Sequence, residues 1–373
     1  MNNSNKSGRN RLIHKYSFTL FFFFMLIILI PSIIVSAVNN PNRSSNNLLI
    51  QQQSLLNKQS VTSSSSSLTL GWITGNGETM TQIADYQNLK IVSPALASID
   101  NDDALHVTAE PNTIDSLHKQ GKKVWVRLIM KTDTKTSIHK LLTNSTATQA
   151  VINKVCEVAS KGHWDGVNVD IENVDVRDRN QFSQFIEQMS NRLKQSNTVL
   201  SIDLPPDPKA GNQKSPFDHA VLGKYCNYVV FMGYDQHWST DPTPGPITSL
   251  PWLKSTLQEF IQTGIPSKEI ILGLPAYTRI WEQDKQGYIV KDPAYSVDYV
   301  ANLVTQNHRN LSWNSALGEY YITYSANNMY YKIWLPTAIS YHAYLNLISK
   351  LHLAGSAIWN LDFMNADYWN LIY

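Results

Sequence analysis

Asp165-Gly166-Val167-Asn168-Val169-Asp170-Ile171-Glu172 is the stretch from which the rest of the chain is read. Taken as a strand, it alternates faces with a period of two. Asn168, Asp170 and Glu172 share one face, and Val167, Val169 and Ile171 share the other. Two carboxyls at i and i+2 stand roughly 6–7 Å apart at their Cα atoms. Confined in a pocket, such a pair raises one of its two pKa values, which keeps a general acid protonated near neutral pH. Glu172 has the longer side chain and lies last on the strand, so it is the candidate acid. A hydrogen-bonded polar face on an ordinary sheet is the plainer alternative.

Outward from this strand, the chain alternates apolar strand-like runs with helix-like stretches. Candidate strands are Leu68–Thr74, Lys90–Ala97, Lys123–Ile129, Gly166–Glu172, Thr198–Leu204, Tyr228–Tyr234, Glu269–Pro275 and Gly355–Asn360. Helix-like stretches include Thr148–Lys161, Arg179–Gln195, Trp252–Thr263 and Thr337–Leu351. The alternation predicts an α/β fold, a (β/α)8 TIM barrel, with chemistry at the C-terminal ends of its strands. A doubly wound sheet is the rival, but no Gly-rich phosphate loop follows the first strand. After the seventh strand comes a long excursion, Tyr277–Pro336. It reads as an α+β insertion, with a helix near Ser296–Gln306 and a hairpin turning on Ser325–Asn328. Only a short helix fits after the eighth strand.

The chain has 373 residues. Residues 1–16 are basic and polar, Phe18 to Ile30 are apolar apart from Thr19, and Val35-Ser36-Ala37 offers a cleavage site. Residues 1–37 therefore read as a signal peptide, favoured by Pro31, or as a signal anchor. Either delivers the body outside the cytosol. Residues 38–67, rich in Asn, Gln and Ser, read as a disordered linker. Asn42, Asn144 and Asn310 head glycosylation sequons. Six Lys/Arg and no acid fall in residues 1–67, leaving 25 basic against 29 acidic residues in the body. That balance argues against nucleic acid and suits an uncharged polymer, as do 18 Tyr and 10 Trp. Cys156 and Cys226 could pair in a secreted chain, but buried free thiols are common and are the favoured reading. No metal-ligand spacing is present, so neither metal nor other cofactor is expected, and a monomer is expected. Asp165 has the wrong parity to join Asp170 and Glu172 as a metal ligand.

The pattern Asp-Gly-x-(Asp/Asn)-x-Asp-x-Glu resembles the signature of glycoside hydrolase family 18, the chitinase-like family. The resemblance implies that Glu172 is the acid and that Asp170 orients the substrate's N-acetyl group, whose carbonyl oxygen is the nucleophile. Asn168 stands where many chitinases have a carboxylate. It would support Asp170 by a hydrogen bond but cannot relay a proton. Met232-Gly233-Tyr234-Asp235 resembles the second signature, Met-x-Tyr-Asp. This makes Tyr234 the donor to the N-acetyl oxygen, with Met232 and Asp235 in the substrate site. Tyr277 and Arg279 match a cleft-lining Tyr-x-Arg, although Arg279 could instead pair with an insertion carboxylate. Trp359, in Ala357-Ile358-Trp359-Asn360, matches the floor beneath the sugar, whose C–H face suits an indole. Trp72 and Trp125 are left as core or rim. Gln236-His237-Trp238, Gly245-Pro246-Ile247 and Pro251-Trp252 resemble a branch holding spore-germination cortex-lytic glycosidases and synthase-attached family 18 domains. The implied function is retaining hydrolysis of β-1,4 linkages next to N-acetylglucosamine, in chitin or peptidoglycan. The alternative is an N-acetylglucosamine-binding lectin on the same barrel.

Overall fold

Eight parallel strands close into a barrel in the computed structural model. It describes residues 67–373 apart from 75–79, 81, 109–111, 208–213 and 308–310. The apolar N-terminal segment, the linker through residue 66, Asn42 and Asn310 lie outside the described residues. Among the described residues, no helix is long and apolar enough to cross a membrane.

The strands in chain order begin with β1 (Leu68–Ile73), β2 (Ile91–Pro94), β3 (Ala97–Ile99), β4 (Leu105–Val107), β5 (Lys123–Met130) and β6 (Gly166–Asp170). Then come β7 (Val199–Leu204), β8 (Tyr228–Met232) and β9 (Ile270–Pro275). The barrel runs β1-β2-β5-β6-β7-β8-β9 and closes through β16 (Gly355–Trp359) back onto β1. Each lies within the stretch expected of it or within a residue of it. The second strand departs from expectation. The run Lys90–Ala97 breaks after Pro94, and β3 resumes beside β5 while pairing antiparallel with β4.

Two apolar layers hold the barrel. Val167, Val169 and Ile171 join the outer cluster beneath the helices, together with Ile152, Val155, Phe182 and Phe185. These partners come from α3 (Ser145–Lys161) and α4 (Arg179–Leu193), which follow α1 (Thr113–Lys119) and α2 (Lys135–Thr143) in the chain. Each fully buried aliphatic of this kind contributes about 1.5–3 kcal/mol. Inside the barrel a smaller cluster, Leu70, Trp72, Ile91, Trp125, Val230, Ile271 and Ala357, fills the bore. Gly166 is required there, because a Cβ at that position would lie 2.6 Å from the Trp125 ring. Helix starts follow caps that periodicity misses. Asn144 caps α3 by accepting from the Ala147 amide, so the helix begins three residues before Thr148. Cys156 and Cys226 are both buried and free.

Helix α5 (His219–Tyr225) leads into β8, and α6 (Leu250–Ile261) follows it. The insertion then forms an antiparallel sheet of β10 (Tyr277–Gln283), β11 (Ile289–Lys291), β12 (Ala294–Ser296), β13 (Ser312–Asn314), β14 (Glu319–Ala326) and β15 (Met329–Leu335). One helix, α7 (Val297–Gln306), accompanies it. The β14–β15 hairpin turns through Asn327 and Asn328, with φ of 52° and 62°. Asn tolerates this left-handed backbone better than most residues. Trp281 anchors the sheet to the barrel by donating its Nε1 hydrogen to the Gly245 carbonyl at 2.9 Å. Then follow α8 (Ala338–Leu351), β16 and the short α9 (Ala366–Ile372). Trp369 of α9 is fully buried and donates to the Gln87 carbonyl. Asn370 bridges the Asp85 carbonyl and the Gln87 amide. The Tyr86 hydroxyl donates in turn to the Met364 carbonyl.

Candidate active site

The polar face of β6 opens inward, and its side chains climb from the bore toward the C-terminal mouth. Asn168 is fully buried and all its hydrogen-bonding capacity is used. Its Oδ1 accepts from Trp72 Nε1 at 2.9 Å and Ser93 Oγ at 3.0 Å. Its Nδ2 donates to Ser201 Oγ at 3.0 Å and Asp203 Oδ1 at 2.8 Å. None of these four bonds goes to Asp170, so the expected direct support of Asp170 by Asn168 is replaced by ties to β7 beside it and to β1 and β2 across the bore. Geometry explains the difference. At i and i+2 the two side chains stack along one strand, whereas Ser201 sits directly across the β6–β7 register.

Asp170 is held by a residue that periodicity did not flag. Arg127 of β5 points into the bore, with Nε 3.6 Å from Asp170 Oδ2. Its guanidinium carbon lies 4.7 Å from the centre of the Trp359 ring, a cation–π geometry. Burial raises the Asp170 pKa, while the Arg127 charge and a hydrogen bond with Glu172 oppose the rise. Its Oδ1 is buried without a partner.

Glu172 lies just past the end of β6 and is exposed to solvent. Protein atoms nevertheless displace part of the water around it. That partial desolvation, with Asp170, Asp133, Asp235 and Asp203 around it, holds its carboxyl well above the usual carboxylate range. Its backbone is fixed from the loop after β5. Asp133 accepts the Glu172 amide at 3.4 Å and the Asn173 amide at 3.3 Å. Burial pushes Asp133 itself up to about 6.

Tyr234, just past β8, is buried, and its ring lies 6.5 Å from that of Trp359 at an interplanar angle of 16°. Burial, then Asp203, Asp170 and Glu172, raise its pKa well above the usual phenol value, so the hydroxyl stays a donor. Trp72 meets Trp359 edge-on at 5.7 Å. Met232, Tyr234, Ile247 and Tyr277 form one apolar cluster against Trp359. Asp235, at φ 58°, accepts the Tyr277 hydroxyl proton. This bond and the Arg279 charge both oppose the rise that burial imposes on the Asp235 carboxyl. Arg279 is engaged with the insertion. Its Nη1 donates to the Asp292 carbonyl at 2.6 Å and lies 3.7 Å from Asp292 Oδ2. Its contribution to the cleft is thus indirect, through the wall and through Asp235.

The structure therefore gathers Asp170, Glu172, Tyr234, Asp235, Tyr277 and Trp359 at one mouth, with Asn168 beneath and Met232 behind. Asp165 lies apart, bound to His118 Nε2 at 2.8 Å and to the Val124 amide at 2.8 Å. Sequence reasoning missed Ser93, Arg127, Asp133 and Asp203 and left Trp72 undecided. Trp125 is core, stacked on Tyr228 at 5.4 Å.

The family model described as Glycosyl hydrolases family 18 matches residues 64–363. The chain belongs to family 18. It is a glycosidase of the type that acts on N-acetylglucosamine-containing glycans. It is 23% identical over 321 residues to the uncharacterized glycosylase YvbX of Bacillus subtilis (strain 168), covering 82% of this chain and 90% of that protein. A cortical fragment-lytic enzyme of Bacillus cereus is 24% identical over 285 residues, covering 73% of this chain and 64% of its own length. The fold is shared with a chitinase of Chromobacterium violaceum, at a TM-score of 0.73 and 18% identity, covering 82% of this chain and 98% of that one.

Proposed function

We propose that this family 18 member hydrolyses β-1,4 linkages next to N-acetylglucosamine by substrate-assisted catalysis, with retention of configuration. The observation that carries the reading is the convergence of an exposed, proton-retaining Glu172 with Asp170, Tyr234 and Trp359 at one mouth. Glu172 protonates the leaving oxygen and later takes a proton from the attacking water. The substrate's own acetamido oxygen attacks the anomeric carbon, so no protein nucleophile is needed. Asp170 accepts the acetamido N–H and stabilises the positive charge that develops on the ring it forms. The Tyr234 hydroxyl orients the acetamido oxygen before attack. Trp359 stacks beneath the sugar, and Met232, Asp235, Tyr277 and Arg279 shape the surrounding wall. The site needs no metal or organic cofactor for these steps.

Hydrolysis of a fluorogenic N-acetylglucosamine oligomer tests this. Glu172→Gln should lower kcat by about 100-fold or more, and equal rates in both proteins would remove Glu172 from the mechanism. The name of the cortical fragment-lytic relatives points to peptidoglycan strands as the substrate, and a product profile on chitin and peptidoglycan decides between the two. With the apolar segment near the N-terminus, the reading places the catalytic domain outside the cytosol. A lectin on the same barrel is the second reading, motivated by Asn168. Tight oligomer binding with no turnover over a wide pH range would favour it.

A further inference from the structure

One carboxyl of the bore has no part in the mechanism above. Asp203 of β7 is 2% exposed, and its Oδ1 accepts from Asn168 Nδ2 at 2.8 Å. The β6–β7 register runs from Gly166 beside Val199 to Val169 beside Ile202. One step further puts Asp203 beside Asp170, with both side chains on the inner face. Arg127, two strands away, is the cation facing this group, and it already pairs with Asp170. Tyr234 from the end of β8 and Glu172 at the rim are the other titratable groups that face it.

Counting charge in this enclosure leads to a specific state. One guanidinium balances one carboxylate, and Asp170 holds that place. Asp203, with no second cation in the bore among the described residues, is stable there as the neutral acid. Burial and then Asp170 hold it well above the usual carboxylate range, against the Asn168 hydrogen bond, the Arg127 charge and a hydrogen bond from Trp72. A neutral acid has one O–H to donate. Asp170 Oδ1, on the adjacent strand, is a buried acceptor without a partner.

We propose that Asp203 is the proton-holding partner of Asp170, the part that Asn168 cannot fill, with Asn168 serving to clamp the Asp203 carboxyl in place. Asp203 is thus a positioning residue acting through Asp170. When Glu172 gives its proton to the leaving oxygen, a second negative charge appears beside Asp170. The Asp203 O–H then shares its proton with Asp170 and spreads that charge over two carboxyls. When Glu172 regains a proton from water, the proton returns to Asp203, so none is gained or lost over the cycle. The assignment rests on the hydrolase reading for its catalytic consequence, but not for the protonation state itself.

Three proteins test it: wild type, Asp203→Asn, and Asn168→Asp combined with Asp203→Asn, which moves the carboxyl back to the fourth barrel strand. Infrared difference spectroscopy of the unliganded proteins at neutral pH reads the protonation state without any turnover. The wild type minus Asp203→Asn spectrum should contain a protonated-carboxyl band. Asp203→Asn should lower kcat by about tenfold or more with KM little changed. The double variant should recover most of that loss and regain a protonated-carboxyl band. Thermal melting shows whether either variant is misfolded, in which case Asp203→Glu, which keeps the proton, should retain the band. A carboxylate band in place of the protonated one overturns the proposal. An unchanged kcat in Asp203→Asn, or a double variant no better than the single, overturns its catalytic part. A wild type that binds oligomers without hydrolysing them defeats the hydrolase reading instead, and leaves the infrared result to judge Asp203.

Discussion

Arg127→Met isolates the electrostatic centre of the site. The guanidinium is almost fully buried and stands 3.6 Å from Asp170 Oδ2. At that separation and an effective dielectric constant of about 20, one pair of unit charges interacts by about 4–5 kcal/mol. Loss of Arg127 removes this attraction for the ionised form, so the Asp170 pKa rises further. Water entering beside the shorter Met side chain screens part of this, so the rise falls short of what the bare pair energy implies. Asp170 must be ionised to receive the acetamido N–H, so the acid limb of kcat should move to higher pH. The alkaline limb follows Glu172, which is governed by partial desolvation and by neighbouring carboxylates rather than by Arg127. It should stay in place. Breaking a buried pair also costs about 3–5 kcal/mol of stability, part of which is recovered when Asp170 takes up a proton. The assay is kcat against pH on a fluorogenic oligomer, with Arg127→Lys as the charge-preserving control. An acid limb that does not move in Arg127→Met would refute the reasoning, as would equal movement of both limbs.

Three further outcomes follow from the same structure. Asp133 is buried with its pKa raised to about 6, so its ionisation opposes folding. Stability from this group is fully present below the unfolded value near 4 and is lost as pH rises through about 6. Melting temperatures of Asp133→Asn should lose that pH dependence between about pH 4 and 6, while kcat falls because only one of the Glu172 and Asn173 amides keeps its acceptor. Glu319 is buried, hydrogen-bonded by the Tyr344 hydroxyl at 2.8 Å, and raised to about 8. By the same sign, its carboxyl costs the fold about 3 kcal/mol at pH 7, so Glu319→Gln should be more stable at pH 7 than at pH 4 relative to wild type. Denaturant unfolding at the two pH values checks it. Gly166→Ala should cost about 1–3 kcal/mol by overpacking against Trp125, visible as a lower melting temperature with the carboxyl chemistry intact.

The barrel was legible because its strands are apolar runs of regular length, separated by helical periodicity. The carboxyl pair was legible because parity on a strand is unambiguous. What stayed hidden has one cause, which is that single polar residues carry no period. Arg127 lies within Val124-Trp125-Val126-Arg127-Leu128, a stretch that reads as buried strand. A lone charge there signals a partner, but not which one. Ser201 and Asp203 share a face of β7, yet only the β6–β7 register shows that they meet Asn168 and adjoin Asp170. Asp133 sits in a loop where no pattern applies. The second strand was read as continuous because its apolar run extends through Pro94 to Ala97, whereas the ladder breaks after Pro94 and resumes beside β5 only at Ala97. Arg279 illustrates the opposite case. Its match to a cleft-lining motif was visible, and so was the alternative partner, and the structure pairs it with Asp292 of the insertion.

The final helix works as a buckle. Trp369, Asn370 and the Met364 carbonyl fasten onto residues 85–87, which lead from β1 into β2, while β1 itself lies beside β16. The two ends of the described fold are thereby joined twice, once edge to edge and once by this strap. Shaving α9 would loosen the seam between the barrel's opening and closing units, on the side where Trp72 and Trp359 face each other. A purification handle or crosslinker aimed at this protein is best kept clear of that strap.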